Sequence, residues 1–235
     1  VRCLALSALC LAINWLVFIW AVNNEQLLAA SLGYFINPLI TVALGVLFLG
    51  ERLRRGQKIA LVLACTGLVV QLVTLGELPV VSLILALAFG FYGLLRKTLN
   101  IDALTGLFIE SLLMLPAALV YWALAMTDTS GNLLANSWQL NTILMLSGWV
   151  TLIPLLFFTG ATRRLSLSSL GFFQYLGPIL MFMLAIAYYQ EPINTANLIS
   201  FIIIWLALVV YTIDLVKLTK KLPEIPVLPE KKTLG

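Results

Sequence analysis

Ser31–Glu51, SLGYFINPLITVALGVLFLGE, is an apolar run long enough to cross a bilayer, with Pro38 in its middle. A related run returns at Gly171–Glu191, GFFQYLGPILMFMLAIAYYQE. At a constant offset of 140 residues, Pro38 falls on Pro178, Leu44 on Leu184 and Glu51 on Glu191. The match continues into the next span, where Leu68-Val69-Val70 falls on Leu208-Val209-Val210. Identities are few, but proline and glutamate stand thirteen residues apart in both copies. The chain therefore reads as two related halves arranged around two proline-bearing helices.

Composition sets the environment of those helices. Hydrophobic residues make up 62% of the chain and charged residues 10%, against about 25% charged in soluble domains. With a mean hydropathy of +1.06, the chain is expected to be a polytopic helical membrane protein of all-α class. Period-2 alternation is absent, which argues against a β-barrel. A net charge of +4, dispersed along the chain, gives no nucleic-acid signature.

Hydropathy gives eight spans, roughly 3–22, 27–49, 57–75, 79–95, 103–125, 139–161, 167–189 and 194–216. The 14 basic residues all fall on one side of this eight-span pattern, in alternate connections and at the two ends. By the positive-inside rule that side is cytoplasmic, with both termini inside. Span two then runs inward and span seven outward, so the two copies are inverted, a common construction of secondary transporters. Two five-span units need ten spans. Spans four to eight make a complete second unit, and spans one to three match the last three of a first unit. The expectation is eight spans of a ten-helix fold, truncated at its N-terminus. Residues 1–75 end the first repeat, 79–216 form the second, and 217–235, with three prolines and several charges, form a disordered cytoplasmic tail. The chain also opens on Val1-Arg2-Cys3, with neither an initiator methionine nor a signal-peptide pattern.

A proline inside a helix frees the carbonyl four residues earlier, here those of Tyr34 and Gln174. Freed backbone at mid-membrane depth must be satisfied by protein or by water in a cavity, and matched interruptions in two halves point to a central binding site. Tyr34, Asn37, Pro38, Gln174, Tyr175 and Pro178 are the candidates beside it. The competing reading is a pair of structural kinks. Asn14 in span one is either a ligand contact or a clasp between helices. Tyr92 and Arg96 share one face of span four. Arg96 could steer an anion or simply anchor the topology. Ser82, Ala86 and Gly90 form a small-residue packing stripe. Glu110 lies about seven residues inside span five, a depth at which a carboxyl group faces a bundle interior. It is a candidate for proton coupling or for an ion pair with Arg96 or Lys97.

Other chemistries lack their residues. The chain has no histidine, and Cys3, Cys10 and Cys65 form no C-x-x-C pair and read as small buried hydrophobes. No metal site, cofactor, G-x-S-x-G elbow or Walker loop is expected, so the chain is not read as an enzyme or as an ATP-driven pump.

The segments NWLVFIWAVNN (14–24), SLGYFINPLITVALGVLFLGERLRR (31–55) and FYGLLRKTL (91–99) resemble the RarD subgroup of EamA-domain permeases, in the drug/metabolite transporter superfamily. The resemblance extends from about residue 3 to 216. It implies ten helices in two inverted five-helix repeats, both termini cytoplasmic, and a bacterial inner-membrane carrier with a central cavity. The subgroup is commonly labelled for chloramphenicol sensitivity or resistance. The function expected is a secondary transporter exporting a small organic solute or drug by alternating access. The alternative is a non-transporting membrane partner or assembly subunit. Expected partners are the lipid bilayer, a small-molecule substrate and, as an option, a second copy in a homodimer.

Overall fold

A computed structural model describes residues 2–24, 26–75, 80–125, 136–187 and 195–219. Its helices are α1 (Arg2–Asn23), α2 (Leu27–Leu49), α3 (Arg55–Leu75), α4 (Val80–Thr98), α5 (Ala103–Ala125), α6 (Trp138–Arg164), α7 (Leu167–Gln174), α8 (Leu176–Ala187) and α9 (Thr195–Thr219). Among the described residues there is no strand, and seven helices are long and apolar enough to cross a membrane. The remaining expected span, span seven, is present in two pieces, α7 and α8, broken at Tyr175. Glu191, the loop 126–135 and the tail from residue 220 lie outside the described residues.

The two proline-bearing segments behave differently. α2 runs unbroken through Pro38, whereas the second copy turns three residues before Pro178. At that turn the Tyr175 N–H donates to the carbonyls of Phe172 and Phe173 rather than to a carbonyl four residues back.

α2 lies at the centre and packs on α4, α7 and α3. Its contact with α4 is made by the small-residue stripe. Ser82 and Ala86 are buried, the Ser82 carbonyl lies 3.3 Å from where a Cβ on Gly33 would stand, and a Cβ on Gly90 would meet Ile40 Cγ2 at 2.8 Å. Its contact with α7 is antiparallel and closer still. A Cβ on Gly171 would meet the Pro38 carbonyl oxygen at 2.7 Å and Val42 Cγ2 at 2.8 Å. α3 and α9 pack antiparallel in the same manner, with Gly67 against Ser200 and Ile204, and Ala60 and Ala64 buried between them. The two copies found in sequence thus touch each other, helix on equivalent helix, and run in opposite directions.

The basic helix ends gather at one end of the bundle. Arg54, before α3, bonds Asp214 near the end of α9, with Nε 2.7 Å from Oδ2. Lys97, at the end of α4, donates to the Thr162 carbonyl at 3.1 Å and to the Leu165 carbonyl at the end of α6. Asp102 caps α5 by accepting from the Thr105 N–H at 2.9 Å, which holds its exposed carboxyl below the usual carboxylate range. Away from these ends α6 presents a broad apolar face, with Met145, Trp149 and Val150 exposed, as lipid contact demands. Cys3 and Cys65 are exposed rather than buried, because small apolar side chains face lipid as readily as core.

The closeness of α2 and α7 makes Gly171 critical. Gly171→Ala should cost about 1–3 kcal/mol by overpacking against α2 backbone. Gly160→Ala, at a position with nothing within 4 Å, should cost nothing comparable. Thermal unfolding in detergent measures both. Equal melting temperatures for the two variants would contradict the crossing described here.

Candidate functional site

Between α1, α2, α4, α6 and the α7–α8 break lies a cavity of about 740 Å³. That is within the usual range for small-molecule sites, about 300–1,000 Å³. Trp15, Phe18, Tyr34, Phe89, Phe158 and Phe173 supply aromatic wall, with the Phe89 and Phe158 rings 4.7 Å apart. Asn14, Asn37, Thr151 and Gln174 supply polar groups, and none of the described lining residues is charged. The residues four before each proline, Tyr34 and Gln174, both line it, as does Pro178.

Its floor is built where α2 and α7 cross. Gln174 Oε1 accepts from Asn37 Nδ2 at 3.4 Å and from Thr41 Oγ1 at 3.2 Å. This leaves Asn37 Oδ1 and Gln174 Nε2 buried without a hydrogen-bond partner among the described residues. Asn14 reaches the wall from α1 and also clasps α4, with Nδ2 3.0 Å from the Leu85 carbonyl. Asn14 is thus a clasp between α1 and α4 that also lies on the cavity wall.

Three candidates from the sequence do not line the cavity. Pro38 is fully buried at the helix crossing, its carbonyl beneath Gly171. Tyr175, 1% exposed, turns its hydroxyl to the Phe35 carbonyl at 3.3 Å. The carbonyl given a side-chain donor is thus that of Phe35, one residue beyond the one that proline chemistry alone singles out. Tyr92 points the other way, its hydroxyl 3.3 Å from Glu110 Oε2.

Glu110 forms a separate, closed cluster toward the basic end. Ser7 on α1 and Tyr92 on α4 donate to its two oxygens, and Arg96 Nη1 lies 3.7 Å from Oε1. Arg96 and Glu110 are each about 1% exposed. Arg96 also donates from Nη2 to the carbonyls of Asp102 and Ala103, and rests on the backbone of Gly106, where a Cβ would collide with the guanidinium. Neither residue touches the cavity. Arg96, and not Lys97, is the partner of Glu110.

Below the cavity, toward the basic end, Leu44, Leu94, Leu167 and Leu170 close the bundle, with Phe158 packed against them. Glu51 completes this closure. Gly50, in the left-handed conformation at φ +64°, ends α2 and turns the chain. The Glu51 carboxylate then accepts from the Leu167 N–H at 2.6 Å, the Ser168 N–H at 2.8 Å and Ser168 Oγ at 2.6 Å. A carboxylate on the first N–H groups of a helix is a favourable charge–dipole cap. The sequence marks Glu51 only as a repeated position. No local pattern reveals that its partners stand 116 and 117 residues away.

The family model for the EamA-like transporter family matches residues 1–73. An uncharacterized transporter of Vibrio cholerae is 54% identical over 213 residues, which is 90% of this chain and 70% of that protein. Protein RarD of Escherichia coli K12 is 50% identical over 212 residues, 90% of this chain and 71% of the relative. A Pseudomonas aeruginosa protein named chloramphenicol-sensitive protein RarD is 32% identical over 221 residues, 93% of this chain and 73% of the relative.

The buried pair gives a stability test. Glu110→Gln leaves Arg96 as an uncompensated buried charge and should cost about 3–5 kcal/mol. Replacing both partners with apolar residues, Arg96→Met with Glu110→Leu, should recover most of that loss. Thermal unfolding of the single and double variants decides it. A single variant as stable as the unaltered chain would show that the pair does not hold α1, α4 and α5 together.

Proposed function

The chain belongs to the RarD subgroup of the EamA-like transporter family, multi-pass bacterial membrane transporters and not enzymes, and on that premise we propose that it exports a small organic solute by alternating access. Residues 1–75 act as part of one half and 79–216 as the other, rocking about the level of Pro38 and Pro178. The observation that carries this reading is the cavity. It lies between two antiparallel, related segments, is the size of a small-molecule site, and is closed at one end by named contacts. We place the basic end in the cytoplasm by the positive-inside rule. The cavity lining on α2 runs from Ala30 to Asn37, on the side of Pro38 away from the basic end, which supports reading the site as reached from the outer face.

Alternating access then requires the cytoplasmic closure to release. Glu51 is the natural latch, because it joins the last turn of α2 to the first turn of α7. Each of its three charge-assisted hydrogen bonds contributes about 1.5–3 kcal/mol, so the cap holds the closed state firmly, and opening requires substrate binding or water at the cytoplasmic end to offset most of that loss. We assign the Glu110–Arg96 pair to holding α1, α4 and α5 together rather than to proton coupling, since neither group reaches the cavity.

Cysteine accessibility tests this scheme, after Cys3, Cys10 and Cys65 are replaced with serine. Tyr34→Cys and Phe173→Cys should react with a membrane-impermeant thiol reagent added outside. Leu170→Cys should react from the cytoplasmic side only weakly, and several-fold faster once Glu51→Gln loosens the latch. If neither Tyr34→Cys nor Phe173→Cys reacts from either face, the carrier reading fails and a non-transporting membrane partner takes its place.

A further inference from the structure

We infer that the lipid-facing side of α3 seats one anionic phospholipid, its phosphate held by Arg55 and Lys58 and one acyl chain lying in a groove at Cys65. The inference concerns the outer surface of the bundle and is independent of what the central cavity carries. Three observations carry it.

The first is a shaped surface. Leu61, Val62, Cys65, Thr66 and Val69 line a groove of about 380 Å³ on α3. Cys65 and Thr66 are its small side chains, and both are exposed. Thr66 turns its hydroxyl back to the Val62 carbonyl at 2.9 Å, so the groove wall is apolar. From Leu61 to Val69 the groove runs about 12 Å at about 1.5 Å per residue. One leaflet contributes about 15 Å of hydrocarbon, so the groove takes most of an acyl chain.

The second is where the cations stand. Arg55, Lys58, Val62, Cys65 and Val69 recur at spacings of three and four, which puts them on one face of α3. Both cations are exposed. Side chains on a helix lean toward its N-terminus, and here that direction leads out of the hydrocarbon. The two charges thus stand one to two turns beyond the groove, at the depth of a lipid phosphate.

The third is a positive charge without a counter-ion. The basic residues of α4, α6 and α9 lie in the last turn, where they complement the helix dipole. α3 reverses this. It begins at Arg55, carries Lys58 in its first turn and has no acid there, so two cations add to the positive end of the dipole. The acids beside it are committed elsewhere. Glu51 caps α7, and Asp214, which lies against Gly56, pairs with Arg54. Neither Arg55 nor Lys58 has an ion pair among the described residues. A phosphate diester supplies the missing charge. A second copy of the chain does not, because two copies inserted in the same direction about a two-fold axis on this face would set Arg55 and Lys58 against their own counterparts.

The test titrates the purified chain in detergent with dioleoylphosphatidylglycerol or dioleoylphosphatidylcholine and counts bound lipid by native mass spectrometry. A juxtamembrane cation favours an anionic lipid about fivefold, so the phosphatidylglycerol should bind about 25-fold more tightly. Arg55→Gln with Lys58→Gln should bring it to the level of the phosphatidylcholine. Arg163→Gln with Arg164→Gln, exposed cations at the end of α6, should leave it unchanged. Cys65→Phe fills the groove without touching a charge and should weaken both lipids several-fold. Dihexanoylphosphatidylglycerol, with the same headgroup on short chains, should bind several-fold more weakly than the dioleoyl form, which separates a seated lipid from a phosphate site alone. Equal binding of the two dioleoyl lipids, or of the two phosphatidylglycerols, by the unaltered chain would overturn the inference, and neither result depends on a variant folding. Equal losses in the two double variants would also overturn it, by showing only diffuse surface charge. So would a dimer that Cys65→Phe dissolves while lipid retention stays the same, because the face would then belong to a second copy.

Discussion

Hydrocarbon offers backbone groups no partners, and the α2–α7 crossing is where this chain meets that constraint. The two crossing segments, one continuous through its proline and one broken before it, are joined by polar contacts at three levels. Tyr175 gives its hydroxyl to the Phe35 carbonyl of α2. Thr41 and Asn37 of α2 give donors to Gln174. Glu51 gives its carboxylate to the exposed N–H groups that start α7. None of these contacts forms unless the helices come very close, and Gly171 permits that closeness by leaving the Pro38 carbonyl room. The cavity is a consequence, because helices pinned tightly at one level and bent above it must part.

Much of this architecture is legible from composition and spacing. The spans follow from hydropathy, the opposite directions of the two copies from the charge on the connections, and the central pairing from Pro38 and Pro178. The α4 stripe of Ser82, Ala86 and Gly90 reads as a packing face and is one. A matching stripe on α3, Gly56, Ala60 and Ala64, lies in the sequence at the same spacing and packs on α9. What spacing cannot convey is which way a polar side chain turns. Tyr92 and Tyr175 share the look of cavity residues, yet each is drawn off by a buried acceptor, Glu110 in one case and the Phe35 carbonyl in the other. Phe158 and Trp15 show the reverse. They read as ordinary apolar residues of their spans, and their place in the wall depends on helices brought together from distant parts of the chain.

The two polar clusters differ in kind, one charged and enclosed, the other neutral and beside the cavity. Around Arg96 and Glu110 the charges are enclosed by α1, α4 and α5 and face each other at 3.7 Å, with Arg96 Nε and Nη1 left without a hydrogen-bond partner among the described residues. Such a pair is costly to break and fixes which helices are neighbours. Around Asn37 and Gln174 the groups are neutral, only half satisfied, and adjoin open space. A site that must release its cargo is better made from the second kind. Neutral hydrogen bonds of about 0.5–1.5 kcal/mol discriminate between solutes without trapping them.

Two of the differences between the copies accompany this asymmetry. At the offset of 140, Ser31 and Asn37 of the first copy correspond to Gly171 and Gly177 of the second. Each glycine weakens a helix by about 0.5–1 kcal/mol relative to alanine, and a residue before proline is already pushed out of the helical region. Gly177 has nothing within 4 Å of its Cβ direction, so no neighbour holds that segment straight. The second copy therefore breaks at Tyr175, while the first, with Asn37 before its proline and Thr41 bonded to the Asn37 carbonyl at 2.9 Å, stays continuous. Divergence of two equivalent helices has thus divided the labour at the crossing. One copy carries Asn37 on a continuous helix, and the other carries Gln174 beside a break, with both side chains at the cavity.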